Sequence, residues 1–271
     1  MTAHAPASRK KGGPRQGQPS VSLSSVNLEF AQAGAAPKRI LTDFSMEAAN
    51  GEFVALIGAS GCGKTTILNL VSGLMKATSG KVEVFGEKPR VGRSDVAYMF
   101  ARDALLPWRT ARKNVELGLE IHGVPKKDRR DRAAALLEQV HLGSAMDKYP
   151  AELSQGMRQR VALARTWATS PELILMDEPF AALDAQTRTS VRDGFLEIWD
   201  DEASRKTVLF VTHDLAEALV LADRIVTIAE GQIRSDVKVP FDRPRDQREL
   251  IALPEYQDLY EKLHEDLILT H

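Results

Sequence analysis

The chain has 271 residues, 43% of them hydrophobic and 27% charged, an ordinary globular balance with ample length for a buried core. Lys+Arg 36 against Asp+Glu 37 leave a net charge of −1, so no bulk electrostatic case exists for nucleic acid or a lipid surface. No apolar run approaches the roughly 18–20 residues of a membrane-spanning helix, and the single cysteine, Cys62, excludes an intramolecular disulfide and a Cys-based metal framework, which makes a reducing cytosol the natural compartment.

In chain order, residues 1–20 are rich in Gly, Pro, Ser and Gln, with four cations (Arg9, Lys10, Lys11, Arg15) and no acid. Such a segment cannot bury enough apolar surface to offset ordering, so a disordered, solvated basic tail is expected. No apolar stretch follows the cations, so a secretory signal is not expected here. From residue 21 the pattern is β-rich, and residues 53–57 (FVALI) form the continuous apolar run of a strand buried on both faces. After a Gly-rich turn, residues 65–75 have helical periodicity, and 81–85 (KVEVF) read as a strand. An all-helical insertion is expected over about 103–165, with helices at 128–141 and 157–167. Strand signals return at 173–176 (LILM) and 208–212 (VLFVT), with a helix near 187–199 between them. Strands alternating with helices predict an α/β fold with a mainly parallel sheet. Residues 236–271 are expected to form a short helical tail, too short for another domain.

Gly58-Ala59-Ser60-Gly61-Cys62-Gly63-Lys64-Thr65 satisfies G-x-x-x-x-G-K-S/T between a buried strand and a helix. A chain this long meets that pattern by accident roughly once in a hundred, and the strand-before, helix-after context makes accident rarer. The glycines let consecutive backbone N–H groups turn inward toward phosphate oxygens, and the following helix adds its N-terminal partial charge. Lys64 is placed to reach the β- and γ-phosphates of a bound nucleotide, and Thr65 to offer a hydroxyl to Mg²⁺, with Thr66 next in the helix. Cys62 reads as a small loop residue.

The strand at 173–176 ends in Asp177-Glu178, and ligands of parallel sheets gather at the carboxyl ends of strands. Asp177 suits Mg²⁺ as a hard oxygen ligand, and Glu178 is placed to deprotonate an attacking water. Strand 208–212 ends likewise at His213-Asp214, which puts His213 near the γ-phosphate as a hydrogen-bonding sensor.

Leu153-Ser154-Gln155-Gly156-Met157 stands between the phosphate loop and the acidic strand. With the preceding elements it resembles the LSGGQ-like signature of the ATPase subunit of an ABC transporter, with Gln155 in place of a glycine and Met157 in place of the usual glutamine. The resemblance covers roughly residues 21–235 and implies the ABC-type P-loop NTPase fold, in which an antiparallel β part and the helical insertion are added to the parallel core. It further implies a head-to-tail homodimer with two ATP molecules in the interface, each held by one subunit's phosphate loop and capped by Ser154 and Gly156 of the other. Ala182-Leu183-Asp184 matches the loop that meets the opposite subunit, and Phe30 either stacks on adenine or is a buried strand residue. A separate membrane permease, served by a periplasmic or extracellular solute-binding protein, would place the chain peripherally on the cytoplasmic face.

One position departs from the family. Ala101 stands where a glutamine is usual, and alanine neither ligates Mg²⁺ nor orients water. Arg102 or a water substitutes, or catalysis is slow; turnover is expected because Lys64, Thr65, Asp177 and Glu178 are intact. Residues 104–108 (ALLPW), followed by Asn114 and Val115, resemble importers of nitrate, sulfonates and taurine. Two other readings stand beside this one: an ATP-dependent dimerising regulator with little hydrolysis, and a non-transport ABC ATPase.

Overall fold

In the computed structural model, which describes residues 17–32, 34–181, 183–199 and 205–268, the chain opens with β1 (Val21–Gln32) and β2 (Ala35–Ala48), an antiparallel pair. β3 (Phe53–Gly58) follows and runs into the phosphate loop and α1 (Lys64–Ser72). α1 stops three residues short of the expected end because Gly73 takes a left-handed conformation and donates its N–H to Leu70 O. β4 (Ser79–Val84) returns to pair with β1, completing a three-stranded antiparallel sheet of order β2-β1-β4. β5 (Val96–Met99) then leads to three helices, α2 (Ala111–Ile121), α3 (Lys126–Gln139) and α4 (Gln155–Trp167).

The remaining core elements are β6 (Leu173–Asp177), α5 (Ala185–Trp199), β7 (Thr207–Val211), α6 (Leu215–Leu221), β8 (Arg224–Ala229) and β9 (Gln232–Lys238). The chain finishes with α7 (Gln247–Ile251) and α8 (Pro254–Ile268). The main sheet has the order β5-β6-β7-β3-β8-β9, parallel throughout except for the β8–β9 hairpin. This is the α/β class expected from the sequence, with the antiparallel part and the helical segment both present.

β3 lies inside that sheet and all six of its residues are buried. Strand geometry sends alternate side chains to opposite faces, and β3 divides its residues between two cores accordingly. Phe53, Ala55 and Ile57 join the core shared with α2, α4, α5 and α6. Val54 and Leu56 join the core shared with α1 and the antiparallel sheet. Phe53 anchors the first core through edge-on contacts with Phe195, Trp199 and Phe210, at centroid distances of 5.9, 5.2 and 5.7 Å.

Two expected boundaries shift. The basic tail is expected over residues 1–20; residues 1–16 lie outside the described ones, whereas Ser20 is fully buried and its hydroxyl meets Asn50 Oδ1 at 2.5 Å and Thr207 Oγ1 at 2.7 Å. The expected start of the helical tail at 236 falls inside β9, because Asp236 and Val237 still pair with Val226 and Ile225 of β8.

Candidate functional site

The phosphate loop leaves the end of β3 in the centre of the sheet. Gly63, at φ 110°, precedes the first turn of α1, and a side chain there would press on Leu41 and the Ile40 carbonyl. Glycine alone therefore lets the loop pass under β2. Lys64 is only 6% exposed; its ammonium donates to Gly58 O at 2.7 Å and Ala59 O at 2.9 Å, with the Cys62 sulfur 3.9 Å away. Ser60 and Gly61 form the exposed crest of the loop, and Thr66 is half-buried behind it.

Thr65 begins the link to the neighbouring strands. Its hydroxyl donates to Asp177 Oδ1 at 3.0 Å, which joins the start of α1 to the carboxyl end of β6 across 112 residues of sequence. Burial pushes the Asp177 carboxyl up from its ordinary range, helped by the nearby Glu178 and opposed by the Thr65 hydrogen bond and the Lys64 charge. Tyr98, on β5, also faces Asp177; burial and that carboxylate hold its phenol above the ordinary value.

Glu178 has a left-handed backbone, φ 47°, and its N–H donates to Val211 O of β7 at 2.9 Å. That turn sends its carboxylate toward the end of β7, where Glu178 Oε2 lies 3.4 Å from His213 Nδ1. The His213 turn is built tightly: Thr212 Oγ1 donates to Glu217 Oε2 at 2.8 Å and accepts from Asp214 N at 3.0 Å, while Asp214 caps α6 through Glu217 N at 3.1 Å.

Other sequence-predicted residues lie apart from this group. Ser154 is exposed and caps α4, accepting from Met157 N at 3.3 Å. Gly156 is buried where α4 crosses the start of α5; a methyl group there would collide with the Thr187 side chain. Asp184 is exposed and accepts from Thr187 N at 3.0 Å, and these hydrogen bonds hold its carboxyl below the usual range. Thr187 therefore brings Gly156 and Asp184 together within one subunit. Ala182 lies outside the described residues. Phe30 is 43% exposed on β1, opposite Lys38 of β2, so of its two readings the buried one is not met. Ala101 sits half-buried in the loop after β5, beside Phe100, whose ring stacks on Tyr98 at 4.4 Å.

Several contributors carry no spacing signal in the sequence: Tyr98, Glu217 and Arg188 serve the site through partners 26 or more residues distant in two of the three cases.

A family model described as ABC transporter matches residues 41–181 of this chain. The chain belongs to the ABC transporter family. An uncharacterised ABC transporter ATP-binding protein of Methanocaldococcus jannaschii is 44% identical over 233 residues, covering 85% of this chain and 86% of that protein. The bicarbonate transport ATP-binding protein CmpD of a Synechocystis species is 42% identical, covering 82% and 80%. The nitrate import ATP-binding protein NrtC of Synechococcus elongatus is 40% identical over 90% of this chain but only 37% of its own length. Among solved structures, a dimeric ATP-binding cassette in a post-hydrolysis state, bound to ADP and Pi, superposes with TM-score 0.72 at 31% identity, covering 82% of this chain and 100% of that one. This ABC transporter subunit is thus an ATP-binding ATPase. Among its described residues, no helix is long and apolar enough to cross a membrane.

Proposed function

We propose that this ABC ATPase energises import of a small anionic solute, of the nitrate, sulfonate or taurine type, through a separate membrane permease served by a solute-binding protein. It would act as an ATP-dependent homodimer on the cytoplasmic face of the membrane. The observation that carries the hydrolytic reading is the convergence of Thr65 with Asp177, and of Glu178 with His213, on neighbouring strand ends beside the phosphate loop. The solute class is supported by relatives named for nitrate and bicarbonate, both small oxyanions, at 40 and 42% identity.

The donor set suits Mg²⁺. Thr65 and Asp177 present hard oxygens 3.0 Å apart, and a carboxylate raised by burial is one that a cation would restore to its ionised form. These two residues would hold the ion, which when bound neutralises charge on the β- and γ-phosphate oxygens. Lys64 exchanges its two loop carbonyls for phosphate oxygens, and the loop N–H groups cradle the rest. Phe30 offers an exposed ring for adenine to stack on. Glu178 accepts the proton of the attacking water, a role worth typically 10²–10⁴-fold, and His213 sits against that carboxylate to sense the γ-phosphate. The amino end of α4, with Ser154, would cap the γ-phosphate bound by the opposite subunit, while Gly156 lets α4 approach α5 and Asp184 faces the partner.

The loop before α2 fits permease docking. Asn114, fully buried, accepts from Leu106 N at 2.8 Å and donates to the carbonyls of Leu106, Arg109 and Thr110 at 3.0–3.2 Å. The rigid loop presents Trp108 at 71% exposure.

Sedimentation of Glu178→Gln with and without ATP, beside wild-type Mg-ATP turnover across protein concentration, tests the reading. An ATP-dependent dimer and activity rising more than linearly with concentration are expected, despite Ala101. Wild-type turnover no higher than that of Glu178→Gln would refute it and favour the regulator instead.

A further inference from the structure

We infer that Arg188 is a positioning residue for hydrolysis, the link that ties the Leu183–Asp184 loop to the His213 turn inside each subunit. Arg188 lies in the first turn of α5, directly after the loop that the proposed dimer presents to the opposite subunit. Its guanidinium reaches both ways. One terminal nitrogen donates to Leu183 O at 3.2 Å, and the other donates to Asp214 Oδ2 at 3.2 Å.

Asp214 is no passive acceptor. Its other carboxylate oxygen caps α6 through Glu217 N, and its own N–H rests on Thr212 Oγ1. His213 is held between these two anchored residues, with Nδ1 3.4 Å from Glu178. A shift of the Leu183 carbonyl therefore pulls on Asp214 through one planar fork and reorients the imidazole beside the general base. Lysine cannot reproduce this, since one ammonium lacks the rigid spread of two guanidinium nitrogens. The link gives a physical route by which the opposite subunit's arrival is felt at the γ-phosphate sensor. It rests on the hydrolytic dimer reading above.

The experiment compares full-length wild type, Arg188→Lys, Arg188→Met, Asp214→Asn and the Arg188→Met/Asp214→Asn double variant. Asparagine keeps the helix cap while removing the charge that holds Arg188. Steady-state Mg-ATP turnover, equilibrium binding of ATP and thermal midpoints are measured for each. Misplacement of a reacting group by about 1 Å lowers rates by up to roughly 100-fold, so Arg188→Met is expected to lose about ten- to a hundredfold in kcat, with KM and ATP affinity unchanged. Arg188→Lys and Asp214→Asn should show smaller losses in the same direction, and the double variant should be no slower than Arg188→Met. Wild-type kcat in Arg188→Lys and Asp214→Asn, or losses that multiply in the double variant, would overturn the link. If Arg188→Met proves unstable, the other two single variants decide the question. Absence of turnover in the wild type would instead remove the parent reading and this inference with it.

Discussion

Glu217 offers a quantitative test of how the His213 turn is held. It sits in the first turn of α6 with 6% exposure, and burial, reinforced by Asp214 and opposed by its bond from Thr212, pushes its carboxyl from 4.5 up to about 6. Between those two values the folded protein binds more proton than the unfolded chain, so stability falls as pH rises through this window and stays lower above it. At 1.36 kcal/mol per pH unit, the ionised side chain costs the fold ~2 kcal/mol at pH 8 and under ~1 kcal/mol at pH 5. Glu217→Gln keeps an oxygen for the Thr212 hydroxyl and removes the charge. The variant should therefore be more stable than wild type by ~2 kcal/mol at pH 8, a rise of about 4–8 °C in thermal midpoint for a chain of this size, with the gap shrinking toward pH 5. Urea and thermal unfolding without nucleotide at both pH values measure it. A gap independent of pH, or a variant less stable at pH 8 than at pH 5 relative to wild type, would refute the argument that the buried charge dominates.

Gly156→Ala should lower stability by about 1–3 kcal/mol through overpacking against Thr187, and Thr187→Ala in the same chain should restore much of it in urea unfolding. Asn114→Ala removes a buried side chain that makes four hydrogen bonds; a loss of ~3 kcal/mol is expected from the backbone groups left without partners, read by denaturation. Asp177→Asn should abolish turnover while leaving the unfolding free energy within about 1 kcal/mol of wild type, and Mn²⁺ binding in the presence of nucleotide, followed by electron paramagnetic resonance, should weaken with it. Trp108→Ser should retain ATP binding and stability yet reduce recruitment to membranes containing the permease, measured by co-sedimentation with vesicles.

The elements that carry the site were legible because their local chemistry is extreme. β3, β6 and β7 are runs of apolar residues buried on both faces, and each ends in residues of unlike character: Gly58, Asp177-Glu178 and His213. The phosphate loop needs a residue pattern that few other structures require. β2, β8 and β9 escaped for physical reasons. β2 begins with a run of exposed residues, β9 alternates exposed with only half-buried positions, both carry charged residues, and their pairing is set by partners on other strands. β8 joins β9 through Glu230-Gly231, both at positive φ, a turn geometry that is visible only in the folded chain. Ser20 looked like tail because its neighbours are polar, yet its hydroxyl is fixed by Asn50 and Thr207, which no local pattern reveals. Tyr98 and Arg188 were invisible for the same reason: their roles depend on Asp177 and Asp214, brought near only when the sheet assembles.

The left-handed backbone of Glu178 has a consequence for how this protein can change. A non-glycine residue at φ 47° sits in a region that costs of order 1–3 kcal/mol, and here the bond from its N–H to Val211 O pins it there. Glycine or asparagine would accept that geometry with less penalty, but neither carries the carboxylate proposed to take the proton from water. On the proposed mechanism, durability and turnover are therefore set against each other at a single position: a substitution chosen only for a sturdier chain would remove the proposed general base.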